Sequence, residues 1–202
     1  MVLFEFPIVE THSIYLRAFT LDDSEKVFKM SIENGMKEWI PDQVYSDQNH
    51  AKEVLDFLIQ QYNICLGPSE IPIVFGVCLK SSNELIGHVG LSPYNGDAEI
   101  GYAIENKQQK KGYATEAILA MTTWAFKKFN LPFILGIVEA ENIGSCRTLE
   151  KATFALENEE YKMFHNKNTL VRTYKRHSGG INISVHAPDE AQSDQKRSRH
   201  EI

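Results

Sequence analysis

From Glu105 to Ala114 the chain reads Glu-Asn-Lys-Gln-Gln-Lys-Lys-Gly-Tyr-Ala, a polar loop that opens a helix. Such a junction presents backbone N–H groups without intrahelical acceptors and the positive end of the helix dipole. Gly112 lets the backbone approach an anion closely, Ala114 keeps the next turn clear, and Lys107, Lys110 and Lys111 add positive charge. A pyrophosphate suits these features. Three lysines and one glycine alone equally describe a solvated strand–helix connection. Neither G-x-x-x-x-G-K-[ST] nor G-x-G-x-x-G occurs, so nucleotide hydrolysis and dinucleotide binding lose their support.

Other reactive residue types carry less. Cys146 has no histidine at meaningful spacing, which argues against a thiol nucleophile. His88 lies within an apolar run and reads as a core or sheet-face residue. The seven histidines form no His-x₃-His pair with acidic support, so no metal is expected. Ile118, Met121, Trp124 and Ala125 share one helix face and read as core packing.

The elements that must position the loop follow from hydrophobic period. Residues 13–19 alternate as a strand. Thr20 and Asp23 resemble a capping box opening a helix over about 21–34 that stops near Gly35. Residues 36–46 read as a loop, and a second helix runs from about Asp47 to Ile64. Ile73–Leu79 and Leu85–Leu91 pair across Lys80–Glu84, and Asp97–Ile104 is a third consecutive strand after the turn at Ser92–Gly96. A helix from about Gly112 to Phe129, a strand Phe133–Glu139, a short helix capped by Asn142, and a hairpin of 154–164 and 169–176 complete the domain. Consecutive central strands imply antiparallel pairing, and strand–helix–strand around 97–139 implies one parallel crossover. The fold class is α+β, a mixed sheet with helices on its faces.

At 202 residues, 43% hydrophobic and 24% charged, the chain has the composition of a globular domain with a full core. No run approaches the roughly 18 apolar residues of a membrane span. The formal charge is −6 without a basic stripe, which disfavours nucleic acid. Met1–Pro7 lacks the basic start of a signal peptide, and three scattered cysteines suggest no disulfide framework, so a cytoplasmic setting is expected. From His177 onward apolar residues are sparse and no period holds. The working domain is therefore read as 1–176, with 177–202 a mobile extension; the Asn182–Ser184 glycosylation match lacks secretory context.

A second segment changes the weight of the first. Gln109-x-x-Gly112-x-Ala114 resembles the acyl-CoA loop of the GNAT superfamily of N-acetyltransferases, and the preceding Ala98–Ile104 looks like its pantetheine-binding strand. Glu141-Asn142-Ile143-Gly144-Ser145-Cys146-Arg147-Thr148-Leu149-Glu150-Lys151 resembles the E-N-x-x-S-x-x-x-L-E-K stretch of the RimJ/RimL-like branch, which acetylates ribosomal-protein N-termini. Tyr15–Phe19 and Leu21–Asp23 fit that branch too. The resemblance spans Ile14–Arg176. It implies a GNAT-like, mostly antiparallel twisted sheet with helices on both faces and acetyl-CoA as co-substrate, with no metal.

It also implies site roles. Backbone N–H groups from Gln109 through Lys110, Lys111, Gly112, Tyr113 and Ala114 to Thr115 would cradle the pyrophosphate. Pantetheine would pair with the edge of Ile100, Gly101, Tyr102, Ala103 and Ile104. Asn142 would hold the pantetheine arm or simply cap its helix. Lys151 would approach the adenosine phosphates or lie on a solvated face. An N–H near Gly101–Tyr102 would serve the oxyanion, and Glu99 would be the base rather than a plain surface carboxylate. The usual tyrosine position falls on Leu149, leaving Ser145 as substitute proton donor or relay, or as an inert hydroxyl. Thr153 and Asn158 stand where glycines are usual. Trp39, Tyr45 and Tyr94 border the acceptor pocket or seat their loops. The implied acceptor is a primary amine, such as a protein N-terminal α-amine. The alternatives are a small amine or antibiotic, or a weakly active CoA-binding sensor. A monomer or a homodimer fits equally.

Overall fold

Strand β2 (Ile14–Arg17) alternates buried and half-buried side chains, and β3 (Ile73–Leu79), β4 (Leu85–Tyr94) and β5 (Asp97–Ile104) continue the sheet as antiparallel neighbours. A short β1 (Val9–Glu10) pairs outside β2. The other half of the sheet is β6 (Phe133–Glu139), β7 (Ala155–Phe164) and β8 (Lys167–His177). The order across it is β1-β2-β3-β4-β5-β6-β8-β7. The computed structural model describes residues 9–64 and 66–179. Met1–Pro7, Cys65, the Asn182–Ser184 match and all but the first three residues of the 177–202 extension lie outside the described residues.

Helices cover both faces. The helices α4 (Tyr113–Phe129) and α5 (Ile143–Lys151) pack on the side bearing Ile14, Leu16, Phe75, Val89, Ile100, Ile134 and Val138, which form the main core with Ile118, Met121 and Leu149. The helices α1 (Ser24–Ser31), α2 (Asn34–Trp39) and α3 (Gln48–Gln61) lie on the other side; Met30 and Leu55 meet Phe19, Cys78 and Leu85 there in a smaller core. Asp47 caps α3 by accepting the His50 N–H at 3.0 Å. No described helix is long and apolar enough to cross a membrane.

The region between β2 and α3 departs from the pattern-based expectation. The helix expected over 21–34 is a turn of 3₁₀-helix (Leu21–Asp23) followed by α1, and α2 lies partly inside the expected loop of 36–46. The break has a tertiary cause. Glu33 is extended and its carboxylate accepts the Asn106 N–H at 2.9 Å, so a contact from the far end of β5 ends one helix before the next begins. The expected capping box forms: the Asp23 carboxylate accepts the Thr20 N–H at 2.9 Å, while Arg17 holds both its oxygens at 2.7 and 2.8 Å.

Candidate active site

The cleft arises from one feature of pairing. Strands β5 and β6 are parallel, but their only registered pair is Glu99 with Leu135. Beyond it they part, leaving the β5 edge from Ile100 to Ile104 without a strand partner on that side among the described residues. The opening is a cleft of about 1140 Å³ between the start of α4, the start of α5, α2 and the tip of the β7–β8 hairpin. It is lined by Trp39, Tyr94, Glu99, Ile100, Gly101, Tyr102, Ala103, Ile104, Gln109, Lys110, Gly112, Tyr113, Ala114, Thr115, Asn142, Ser145 and Lys151, nearly the whole set expected from the sequence.

At one end the α4 N-terminus is bare. Gly112 is its N-cap with φ 90°, and the first capping bond runs from the Glu116 N–H to the Gly112 carbonyl at 3.0 Å. The N–H groups of Tyr113, Ala114 and Thr115 therefore precede that bond, and no side chain caps them. A Cβ placed on Gly112 would meet nothing within 4 Å, so the approach to these groups is open. The Gln109 side chain does a different task from cradling: it donates to the Ile104 carbonyl at 2.9 Å and to Asn106 Oδ1 at 3.2 Å, tying the loop to the end of β5. Lys111 lies outside the cleft lining and donates to Gln108 Oε1 at 2.7 Å, and Lys107 pairs with Glu84 at 2.7 Å. Of the three lysines, Lys110 alone lines the cleft, with φ 62°.

At the centre, burial pushes the Glu99 carboxyl up to about 7; the Ile137 N–H and, more weakly, Lys162 oppose that rise. Across the gap, Asn142 caps α5 through Oδ1, which accepts the Ser145 N–H at 3.0 Å, so its amide NH₂ is free of that bond. The Ser145 hydroxyl lies 2.7 Å from the Tyr102 hydroxyl, and the phenol also reaches the Ser145 carbonyl at 3.2 Å. Burial pushes the Tyr102 phenol up to about 12. Leu149 is 1% exposed and covers Gly136, where an added Cβ would stand 3.0 Å from its methyl carbons. That position is core.

The far end is closed by contacts between loops. His165 Nδ1 lies 3.0 Å from Asp42 Oδ2, and the Lys167 ammonium stands 5.9 Å from the Trp39 ring centroid. Lys167 also pairs at 2.6 Å with Glu139, a carboxylate 2% exposed whose second oxygen has no partner among the described residues. Tyr94 accepts from Lys162 at 3.3 Å. Tyr45 sits apart from all of these. It lines a separate cavity of about 30 Å³ with Met30, Met36 and His88, and its ring meets His50 edge-on at 5.2 Å. His88 is half-buried, with its Nε2 enclosed and without a hydrogen-bond partner among the described residues, and burial lowers it to about 4. Among the described residues no group of three or more His, Cys, Asp or Glu is placed to hold a metal ion.

Sequence pattern missed Glu139, His165 and Asp42 as cleft residues. Glu139 ends an apolar strand, where nothing distinguishes a cleft carboxylate from a surface one. His165 and Asp42 meet only through the packing of a hairpin tip on a loop 123 positions away.

Residues 13–155 match the acetyltransferase (GNAT) domain family. The chain is 28% identical over 145 residues to the uncharacterized N-acetyltransferase YnaD of Bacillus subtilis strain 168, an alignment covering 71% of this chain and 79% of that protein. Among solved structures, a GNAT-family acetyltransferase from Bacillus anthracis superposes with a TM-score of 0.73 at 23% identity, covering 86% of this chain and 99% of the other. The ribosomal L7/L12 alpha-N-protein acetyltransferase RimL, solved in complex with coenzyme A, superposes with a TM-score of 0.70 at 17% identity, covering 85% and 98%. At these identities the likeness to the solved structures is one of fold, whereas the domain match covers most of the chain. The family uses acetyl-CoA, and the antiparallel sheet with its one parallel junction is the acyl-CoA N-acyltransferase fold. The chain belongs to the GNAT acetyltransferase family and is an N-acetyltransferase enzyme.

Proposed function

We propose that the enzyme transfers the acetyl group of acetyl-CoA to a primary amine in the β5–β6 cleft, and that the acceptor is a protein N-terminal α-amine. One observation carries the reading: a bare helix N-terminus and a carboxyl group with a pKa near 7 open onto the same cleft, at the point where two strands part.

The residues fit acetyl-CoA. The N–H groups of Tyr113, Ala114 and Thr115, with Gly112 clear of obstruction and Lys110 beside it, would hold the pyrophosphate. The open edge of Ile100–Ile104 and the spare amide of Asn142 would hold the pantetheine arm, and Lys151, which lines the cleft, would approach the adenosine phosphates. When bound, the thioester supplies an acyl carbon open to direct attack and a thiol leaving group. Glu99 takes the ammonium proton, directly or through water, because a carboxylate with a pKa near neutrality is matched to that task. A backbone N–H of Gly101 or Tyr102 donates to the oxyanion. Ser145, in the first turn of α5, would serve the leaving group where the helix dipole favours developing negative charge.

Two points support a peptide acceptor. RimL, which shares the fold, acts on a ribosomal protein α-amine. The acceptor end here also carries Glu139, with one buried oxygen that has no partner among the described residues. The test is CoA release from acetyl-CoA across N-terminal peptides and small amines. Peptide-dependent release is expected. Release with small amines alone would overturn the peptide acceptor, and no release with any amine would overturn the use of these residues.

A further inference from the structure

Leu149 leaves the expected acid without a phenol, and Ser145 alone is poorly suited to replace it. An alcohol is a much weaker acid than a thiol, so handing its only proton to a thiolate would strand an alkoxide. The structure supplies a second hydroxyl from an unexpected element. Tyr102 belongs to β5, and Ser145 to α5 across the cleft mouth; both line the cleft. Their hydroxyl oxygens are 2.7 Å apart. The phenol reaches two acceptors on Ser145, the hydroxyl at 2.7 Å and the carbonyl at 3.2 Å, and the Thr148 hydroxyl also faces it.

We propose that Tyr102 is a positioning residue that acts through Ser145 as a two-hydroxyl relay, supplying the proton by which Ser145 protonates the departing thiolate. The inference rests on the reading of this cleft as the acyl-donor site. The geometry gives the relay a direction. When the phenol donates to Ser145 Oγ, the serine proton is released from that pair and turns into the cleft; when it donates to the carbonyl, the serine proton is held against the phenol oxygen. The Asn142 cap fixes Ser145 at 3.0 Å through its N–H, so the two arrangements differ by hydroxyl rotation alone.

Protons and electrons balance. Glu99 passes the ammonium proton to solvent before attack; the neutral acceptor nitrogen then forms the new bond to the acyl carbon and loses its second proton to Glu99. As the C–S bond breaks, its electron pair leaves on sulfur, Ser145 gives its proton to that sulfur, and Tyr102 gives its own to Ser145. The charge then rests on a phenolate rather than an alkoxide, and cleft water restores the phenol while Glu99 returns its proton to solvent. A phenol held near 12 surrenders its proton only in concert with the serine and stays protonated between turnovers.

The test compares Tyr102→Phe, Ser145→Ala and the double variant. Each single substitution is expected to lower kcat by roughly 10²-fold, in the range of general acid catalysis. CoA affinity by calorimetry should change less than about threefold, since neither hydroxyl is among the groups assigned to hold the pantetheine arm. The double variant should be no worse than the poorer single one within about threefold, because both remove one unit. A readout without turnover is the ultraviolet titration of the free enzyme, with Tyr102→Phe as the blank for this phenol. In Ser145→Ala the Tyr102 ionisation should move to higher pH, the groups facing it being Ser145, Thr148 and the Cys146 thiol.

Unchanged kcat in Tyr102→Phe with a large loss in Ser145→Ala would overturn the relay and leave Ser145 acting alone. Unchanged kcat in Ser145→Ala would overturn the relay and Ser145 together. Multiplicative losses in the double variant would also overturn it. Loss of CoA binding in the unsubstituted enzyme would strike the acyl-donor reading itself, a separate failure. If Tyr102→Phe melts below the assay temperature, Tyr102→Met removes the same hydroxyl and is read in its place.

Discussion

Glu99 stands where β5 and β6 share their last registered pair, and the partial burial of that junction raises its carboxyl to about 7. An unfolded glutamate ionises near 4.3. As a base it must be ionised, so kcat/KM is expected to climb with pH through about 7 and then level. Glu99→Gln should remove that limb and lower kcat roughly 10²-fold. His88, held near 4, is already neutral across this range and cannot produce the limb. Linkage gives an independent check. A carboxyl whose folded value is raised costs nothing below about pH 4, where both states are protonated, and its penalty grows until pH passes about 7. Glu99→Gln should therefore match the unsubstituted protein in denaturant stability at pH 4 and exceed it at pH 8. An equal gain at both pH values would mean that Glu99 is not raised.

At the scale of elements, two left-handed positions mark what the fold demands. Gly112 (φ 90°) opens α4 with empty space where a side chain would begin. Gly112→Ala should lower CoA affinity by tenfold or more in calorimetry, since a methyl group enters the approach to the uncapped N–H groups, beyond a strain of about 1 kcal/mol seen in the melt. Thr153 ends the α5 turn at φ 65°, a conformation that β-branched residues rarely adopt. Relief of about 1–2 kcal/mol is set against the greater chain entropy of glycine, so Thr153→Gly should stabilise the protein by about 1 kcal/mol and raise its melting temperature by a few degrees. The departure from glycine at Thr153 was legible in the sequence; its cost is visible only in the turn. Asn158 sits just past a register shift between Leu156 and Asn158, so β7 absorbs that departure as an irregularity rather than a strained turn.

Across the whole molecule, the strands of the central sheet, α4 and α5 were legible because each carries a clean period bounded by turn residues or a cap. The region from Ile32 to Trp39 was not, because Glu33 answers to Asn106, some seventy positions away, rather than to its neighbours. The same divide runs through the site. Gly112, Asn142 and Ser145 could be read from a local motif, whereas the Tyr102–Ser145 pair and the His165–Asp42 contact exist only once β5 faces α5 and the hairpin tip meets the Pro41–Gln43 turn. Lys111 and Tyr45 show the limit of motif reading, since a matching position does not fix where a side chain points. The charge of −6 gives the surface a mild preference for cationic partners, in keeping with a protonated N-terminus and basic flanking residues. The most direct measurement is intact and peptide mass analysis of a ribosomal-protein N-terminal peptide with its lysines blocked, after incubation with the enzyme and acetyl-CoA. One acetyl group on the α-amine, absent with Glu99→Gln, is the predicted result; an unmodified α-amine across such peptides, with acetylation confined to small amines, would contradict it.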